Sequence, residues 1–212
     1  RMSAVRHPNV INVAEYFEAN NTLYMVMTHE EGRDLRWFIN KLAGELDWDF
    51  LQQVFPPIGE GLWRMHQEGV VHLDVKPANV LLRTSGQPLL LDFGAAQTMD
   101  NDNRFGSFQT LTHGFAPPEQ YLDGNLGPWT DIYGLAATIY NCITGHSPPP
   151  ALKRRDGASL EKLTVSRSGA YPYTLLKVVE DALSLDQGQR PHDLHAFLSL
   201  AFGASSHTPV KT

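Results

Sequence analysis

The sequence predicts an α+β fold, with a small antiparallel sheet at the front and helices building most of the rest. Three observations predict it. Residues 10–18 and 22–27, rich in β-branched and aromatic side chains, flank an Asn20-Asn21 turn in the pattern of a hairpin. Phe50, Leu51, Val54, Phe55, Ile58, Leu62 and Met65 follow helical spacing over residues 50–65. Residues 130–144 are apolar almost all round (Ile132, Leu135, Ala136, Ala137, Ile139, Ile143), which marks a central helix without a solvent face.

The remaining elements follow in order. Pro56-Pro57 fall inside the 50–65 helix, and interior proline costs about 3 kcal/mol, so we expect an interruption and a kink there. Residues 70–71, 80–82 and 89–91 are short apolar runs that read as strands, the last two joined by Thr84-Ser85-Gly86-Gln87. Residues 95–128 lack periodicity and are rich in glycine, proline and small polar residues. They read as a long loop, and loops of that length in a domain are usually functional or disordered. Two further helices are expected around 173–185 and 191–202, and residues 205–212 read as a polar tail.

Composition narrows the class. A chain of 212 residues suffices for one well-cored domain, and 42% hydrophobic with 19% charged residues is ordinary for a globular protein. A net charge of −6 argues against general affinity for nucleic acid or anionic membrane. Cys142 is the only cysteine, so no internal disulfide can form; in its apolar run it reads as a small buried hydrophobe. No apolar run reaches membrane-spanning length, no signal peptide is evident, and the nine histidines lack paired zinc-ligand spacing.

The chemistry lies in His72-Leu73-Asp74-Val75-Lys76-Pro77-Ala78-Asn79, followed after the hairpin by Asp92-Phe93-Gly94. Two acids and an amide at that spacing suit phosphoryl transfer from a magnesium-bound nucleotide. One acid takes up a hydroxyl proton, and the other acid and the amide hold the metal. These residues resemble the signature set of the catalytic lobe of eukaryotic-type (Hanks-type) Ser/Thr protein kinases. The resemblance implies a protein kinase-like fold, a mostly helical large lobe with a remnant of the small-lobe antiparallel sheet. It implies ATP and Mg2+ as cofactors and a protein substrate. Asp74 would act as base, Lys76 as charge stabiliser on the transferring group, and Asn79 and Asp92 as magnesium ligands.

Further residues extend the match. Ala116-Pro117-Pro118-Glu119-Gln120 resembles the Ala-Pro-Glu element closing the activation segment, in a form similar to prokaryotic members. Arg190 stands where the family pairs an arginine with that glutamate, and Asp131 where an aspartate braces the catalytic-loop backbone. Thr112 matches the threonine linking the substrate-docking loop to the catalytic aspartate and lysine. Upstream, residues 23–27 look like the strand leading into the hinge, with Met27 as gatekeeper. Thr28-His29-Glu30 would be the hinge whose backbone reads adenine, with His29 at its centre. Asp34 would meet ribose and Leu81 would floor the base. Met2, Val13, His72 and Phe93 match the family's regulatory spine, although ordinary core packing gives the same pattern.

Two departures stand out. No glycine-rich loop and no third-strand lysine occur anywhere, and Arg6-His7-Pro8-Asn9-Val10 resembles the segment just after the regulatory helix. With Arg1 rather than methionine first, we expect a small lobe upstream and little catalysis by these residues alone. We read residues 1–27 as the remnant of the small lobe, 28–34 as hinge, 35–204 as large lobe and 205–212 as tail. Leu73 replaces the arginine that in many kinases pairs with a phosphorylated activation-loop residue, so weak dependence on phosphorylation at Ser107, Thr110 or Thr112 is expected.

The leading expectation is a bacterial, cytoplasmic protein Ser/Thr kinase, alternatively the cytoplasmic part of a membrane-anchored one. It would have no nucleic-acid partner and no membrane contact by this segment. A pseudokinase or kinase-like scaffold acting by protein binding is the alternative. Retention of Asp74, Lys76, Asn79 and Asp92 together opposes it. A small-molecule phosphotransferase of related fold is the third reading, and contact between Glu119 and Arg190 would weigh against it.

Overall fold

Val13–Ala19 (β1) and Thr22–Met27 (β2) form the expected antiparallel hairpin, with Val13 opposite Met27 and Ala19 opposite Thr22. Phe17 and Tyr24 stack across it, ring centroids 5.1 Å apart. The computed structural model describes residues 5–20, 22–42, 46–91, 97–98, 111–122 and 124–203. Met2, Asp92, Phe93, Ser107, Thr110 and the 205–212 tail, all singled out above, lie outside the described residues.

Gly32–Asp34 (β3), Val80–Arg83 (β5) and Pro88–Leu90 (β6) make an antiparallel sheet in the order β3-β5-β6, while Val70–Val71 (β4) pairs with Gln97–Thr98 (β7). The segment before β1 is tied to β6 by Ile11 N–H to Leu90 O (2.9 Å) and Leu90 N–H to Asn9 O (2.8 Å).

The helices are Leu35–Lys41 (α1), Trp48–Gln67 (α2), Pro118–Tyr121 (α3), Pro128–Thr144 (α4), Ala151–Arg155 (α5), Leu163–Ser166 (α6), Tyr173–Ala182 (α7) and Leu194–Phe202 (α8). Aspartates open three of them by accepting a backbone N–H: Asp34 from Trp37, Asp47 from Phe50 and Asp193 from Ala196. Gly145 closes α4 in the left-handed region at φ 82°.

α4 is the axis of the core, with 14 of its 17 residues buried, as its all-round apolar composition predicts. The stripe Leu51, Val54, Phe55, Ile58, Leu62 and Met65 of α2 is buried too, and α2 packs on α4 and α8, α4 on α7, and α7 on α8. Cys142 lies fully buried in α4, where desolvation pushes its thiol well above the ordinary range. Gly134 lets α4 approach the loop that follows β4: a Cβ there would sit 3.0 Å from Val75 O.

Some expectations need correction. α2 is not interrupted at Pro56-Pro57; it is one helix of 20 residues. The two carbonyls that lose donors belong to Gln52 and Gln53, both exposed, so water can replace the missing N–H groups. The stretch read as loop over 95–128 contains β7 and α3. β1 begins at Val13 rather than residue 10, α7 ends at Ala182, and α8 begins at Leu194. The short helices α1, α3, α5 and α6 carry too few turns for periodicity to show.

Candidate active site

The loop between β4 and β5 carries Asp74, Lys76 and Asn79, and its shape is set from below by Asp131 in the first turn of α4. Asp131 is fully buried, and its two oxygens accept the backbone N–H groups of His72 (Oδ2, 2.8 Å) and Leu73 (Oδ1, 2.7 Å). His66, in the last turn of α2, reaches the same carboxylate through Nε2 at 2.7 Å. Burial alone would raise the Asp131 carboxyl. The His66 hydrogen bond and charge and the His72 amide outweigh it and hold the group below the usual carboxylate range.

His72 is buried and bridges two parts of the site. Its Nδ1 accepts the Asp74 N–H at 3.3 Å, so a neutral ring carries its proton on Nε2 and donates to Leu91 O at 3.0 Å. Leu91 directly precedes Asp92. The residue between His72 and Asp74 adopts a rare backbone: Leu73 has φ 67°, a left-handed conformation that costs a branched residue roughly 1–2 kcal/mol. Three contacts surround it. Its N–H is held by Asp131, and its carbonyl accepts Gln120 Nε2 at 2.9 Å. The third is burial of its side chain.

Above that loop, four side chains meet. Asp74 Oδ2 accepts Asn79 Nδ2 at 2.9 Å and lies 2.7 Å from Lys76 Nζ, and Asp74 Oδ1 accepts the Thr112 hydroxyl at 3.1 Å. Lys76 Nζ also donates to Thr112 Oγ1 at 3.0 Å, and Asn79 Nδ2 to Asp74 O at 2.8 Å. Among the described residues Oδ2 thus has two donors and Oδ1 one, which leaves acceptor capacity on Oδ1. Asn79 is anchored by its amide nitrogen, leaving its carbonyl oxygen as the atom suited to a hard cation.

Thr112 and Gln120 belong to a segment anchored far away in the chain. Arg190 grips Glu119 with both ends of its guanidinium, Nη1 to Oε1 at 2.6 Å and Nη2 to Oε2 at 3.0 Å, and also donates to Ser184 O and Trp129 O. Its side chain is fully buried over the Tyr133 ring, centroid 5.1 Å away. The Thr130 hydroxyl adds a third donor to Glu119 at 3.3 Å.

The residues read as a nucleotide site form a second group. Asp34 and Leu81 stand opposite each other across β3 and β5. The Asp34 carboxylate already accepts the Trp37 N–H at 3.0 Å and the Arg36 guanidinium at 2.6 Å. Met27 ends β2 with 42% of its surface exposed, and His29 is exposed. The segment is pinned by Glu30, whose carboxylate takes a two-pronged bond from Arg83 (2.8 and 2.9 Å), while Arg83 also donates to Pro8 O. That bond, and the opposite charge each partner presents to the other, lower Glu30 and raise Arg83 relative to their ordinary values.

Sequence reasoning missed His66 and the role of Gln120. His66 has no local signal, because it meets Asp131 only when α2 lies against α4.

This geometry has known counterparts. A family model described as protein kinase domain matches residues 1–198. The chain belongs to the protein kinase domain family. It is 29% identical over 201 residues to serine/threonine-protein kinase PknK of Mycobacterium tuberculosis, covering 87% of this chain and 17% of that protein. With the probable serine/threonine-protein kinase PknB of Lactococcus lactis it shares 29% over 153 residues, covering 69% and 23%. With sperm motility kinase 2B of Mus musculus it shares 30% over 183 residues, covering 84% and 36%. The solved structure titled PpkA-294 apo form superposes with a TM-score of 0.79 at 30% identity, over 94% of this chain and 70% of that one. The chain therefore has the protein kinase fold, and it spans 17–36% of the length of these three relatives. No helix among the described residues is long and apolar enough to cross a membrane.

Proposed function

We propose that this chain is the large lobe of a protein serine/threonine kinase, with residues 28–34 as hinge and the end of a small lobe before them. The single observation that carries the reading is the cluster of Asp74, Lys76, Asn79 and Thr112 on a loop braced by Asp131. Family membership supports the reaction class.

Asp74 receives the proton of the substrate hydroxyl through Oδ1, the oxygen with acceptor capacity left, while Asn79 and Thr112 fix its orientation. Lys76 is held between Asp74 and Thr112 and places a positive charge where the transferring group passes. Asn79, with Asp92, offers oxygen to magnesium, which suits the hard-cation preference. Bound Mg·ATP would supply the γ-phosphoryl group and neutralise its developing charge. Met27, His29 and Leu81 line the adenine side. Asp34 can meet ribose only by sharing the oxygens that now cap α1 and bind Arg36. The need for ATP favours the cytoplasm, and the Pro117-Pro118-Glu119-Gln120 form of the element closing the activation segment favours a bacterial source.

The Glu119–Arg190 pair, which the third reading should lack, favours a protein kinase over a small-molecule phosphotransferase. The test is transfer of labelled phosphate from Mg·ATP to a generic basic protein by the full-length protein carrying this chain. Label should appear with the unsubstituted protein and vanish with Asp74→Asn. A folded full-length protein that transfers no label would turn the reading towards a scaffold.

A further inference from the structure

Gln120 is the second of two polar groups that bracket Leu73. Its amide nitrogen meets the Leu73 carbonyl at 2.9 Å, while Asp131 holds the Leu73 N–H at 2.7 Å. Because the partner is a carbonyl, only the NH2 end of the amide can make this bond. Leu73 sits at φ 67° directly before Asp74, so the peptide that fixes the direction of the Asp74 side chain is the one whose carbonyl Gln120 grips. Gln120 cannot drift: it lies in α3, whose neighbouring residue Glu119 is locked to Arg190 in the core.

We propose that Gln120 is a positioning residue, whose uncharged side chain holds Leu73 in its left-handed conformation and thereby aims the Asp74 carboxylate. The proposal rests on the kinase reading of Asp74. It assigns to an amide on the far end of the activation segment a coupling to the catalytic loop that needs no phosphate. Asp131 alone restrains only the N–H side of Leu73. Without Gln120 the carbonyl can rotate, and Leu73 can relax to an ordinary backbone region that any non-glycine residue prefers.

The test is a double-mutant cycle in the full-length protein, using Gln120→Met, which keeps length and loses the donor, with Leu73→Gly, which removes the preference against positive φ. In the native background Gln120→Met should lower kcat by about tenfold and leave KM for ATP within about twofold, a loss in the range of one unsatisfied hydrogen bond. In the Leu73→Gly background the same substitution should cost less than about twofold. Equal losses in both backgrounds, or no loss in the native one, would overturn the proposal. Amide hydrogen exchange gives a readout independent of activity: Gln120→Met should speed exchange at the Leu73 and Asp74 amides, and unchanged protection there also overturns it. If the unsubstituted protein transfers no more phosphate than Asp74→Asn, the kinase reading has failed. The exchange result still decides the clamp. Gln120→Asn, tested beside it, separates loss of reach from loss of fold, since thermal stability should stay native while exchange rises.

Discussion

Thr112 is the smallest side chain of the site, and it joins two others. Its hydroxyl donates to Asp74 and accepts from Lys76, so one oxygen orders both side chains. Thr112→Val keeps the shape and removes both bonds. We expect kcat in phosphate transfer to fall about tenfold, with Thr112→Ser retaining most activity. Asp131 acts at the same scale through protons. Its folded carboxyl titrates below the usual range, whereas the unfolded chain should titrate near the ordinary value of about 3.9. The unfolded state therefore binds more protons between the two values, and stability falls as pH drops through that window. The contribution is complete above about pH 5 and is lost below about pH 4, towards the depressed folded value. Asp131→Asn should lower stability at neutral pH and flatten its dependence on pH below about 5, which denaturant melts across that range would show.

At the scale of elements, the contacts that matter join pieces far apart in the chain. Glu119 at the start of α3 and Arg190 before α8 form a buried two-pronged pair. Removing one partner leaves the other charged in a dry site, which costs about 3–5 kcal/mol. Arg190→Ala should therefore lower the denaturation midpoint strongly, and it should release the segment that carries Thr112 and Gln120. Gly134 sets the approach of α4 to the loop that carries Asp74. Its added Cβ would meet a backbone oxygen of a loop that Asp131 already holds, so little can yield. Gly134→Ala should cost about 1–3 kcal/mol despite the better helix propensity of alanine. A thermal melt showing a gain would mean that the loop gives way there.

For the whole molecule, the described residues place the loop that carries Asp74, Lys76 and Asn79 on a helical core through Asp131, with the hairpin of β1 and β2 earlier in the chain. Leu73 offers no cation to a phosphorylated loop residue, and Thr112 and Gln120 reach the loop through a hydroxyl and an amide. Phosphatase treatment of the full-length protein should therefore leave most of its transfer activity, whereas loss of nearly all of it would refute this. Residues 1–212 alone lack a glycine-rich loop and a third-strand lysine, the groups that hold the α- and β-phosphates. We expect this segment to bind Mg·ATP at least about tenfold more weakly than a form that carries both, as calorimetry would measure.

What the sequence alone determined follows from short-range regularities. Periodicity marked α2 and α4 as buried, turn residues marked the β1–β2 and β5–β6 hairpins, and close spacing put Asp74, Lys76 and Asn79 on one loop. Likeness to a family supplied partners for Asp131, Thr112, Glu119 and Arg190. It misjudged nothing in their pairing, but it said nothing of His66 or of the bond from Gln120 to Leu73. Local rules also failed at α1, too short to show a period, and at Pro56-Pro57, where exposure of Gln52 and Gln53 lets water complete a helix that propensity would break. Only the tertiary structure decided that His66 shares Asp131 with the loop and that Leu73 is held at positive φ from both sides. The reason is physical: hydrogen bonds between residues 47 to 71 positions apart have no footprint in local pattern, because their geometry exists only once the core has brought the elements together.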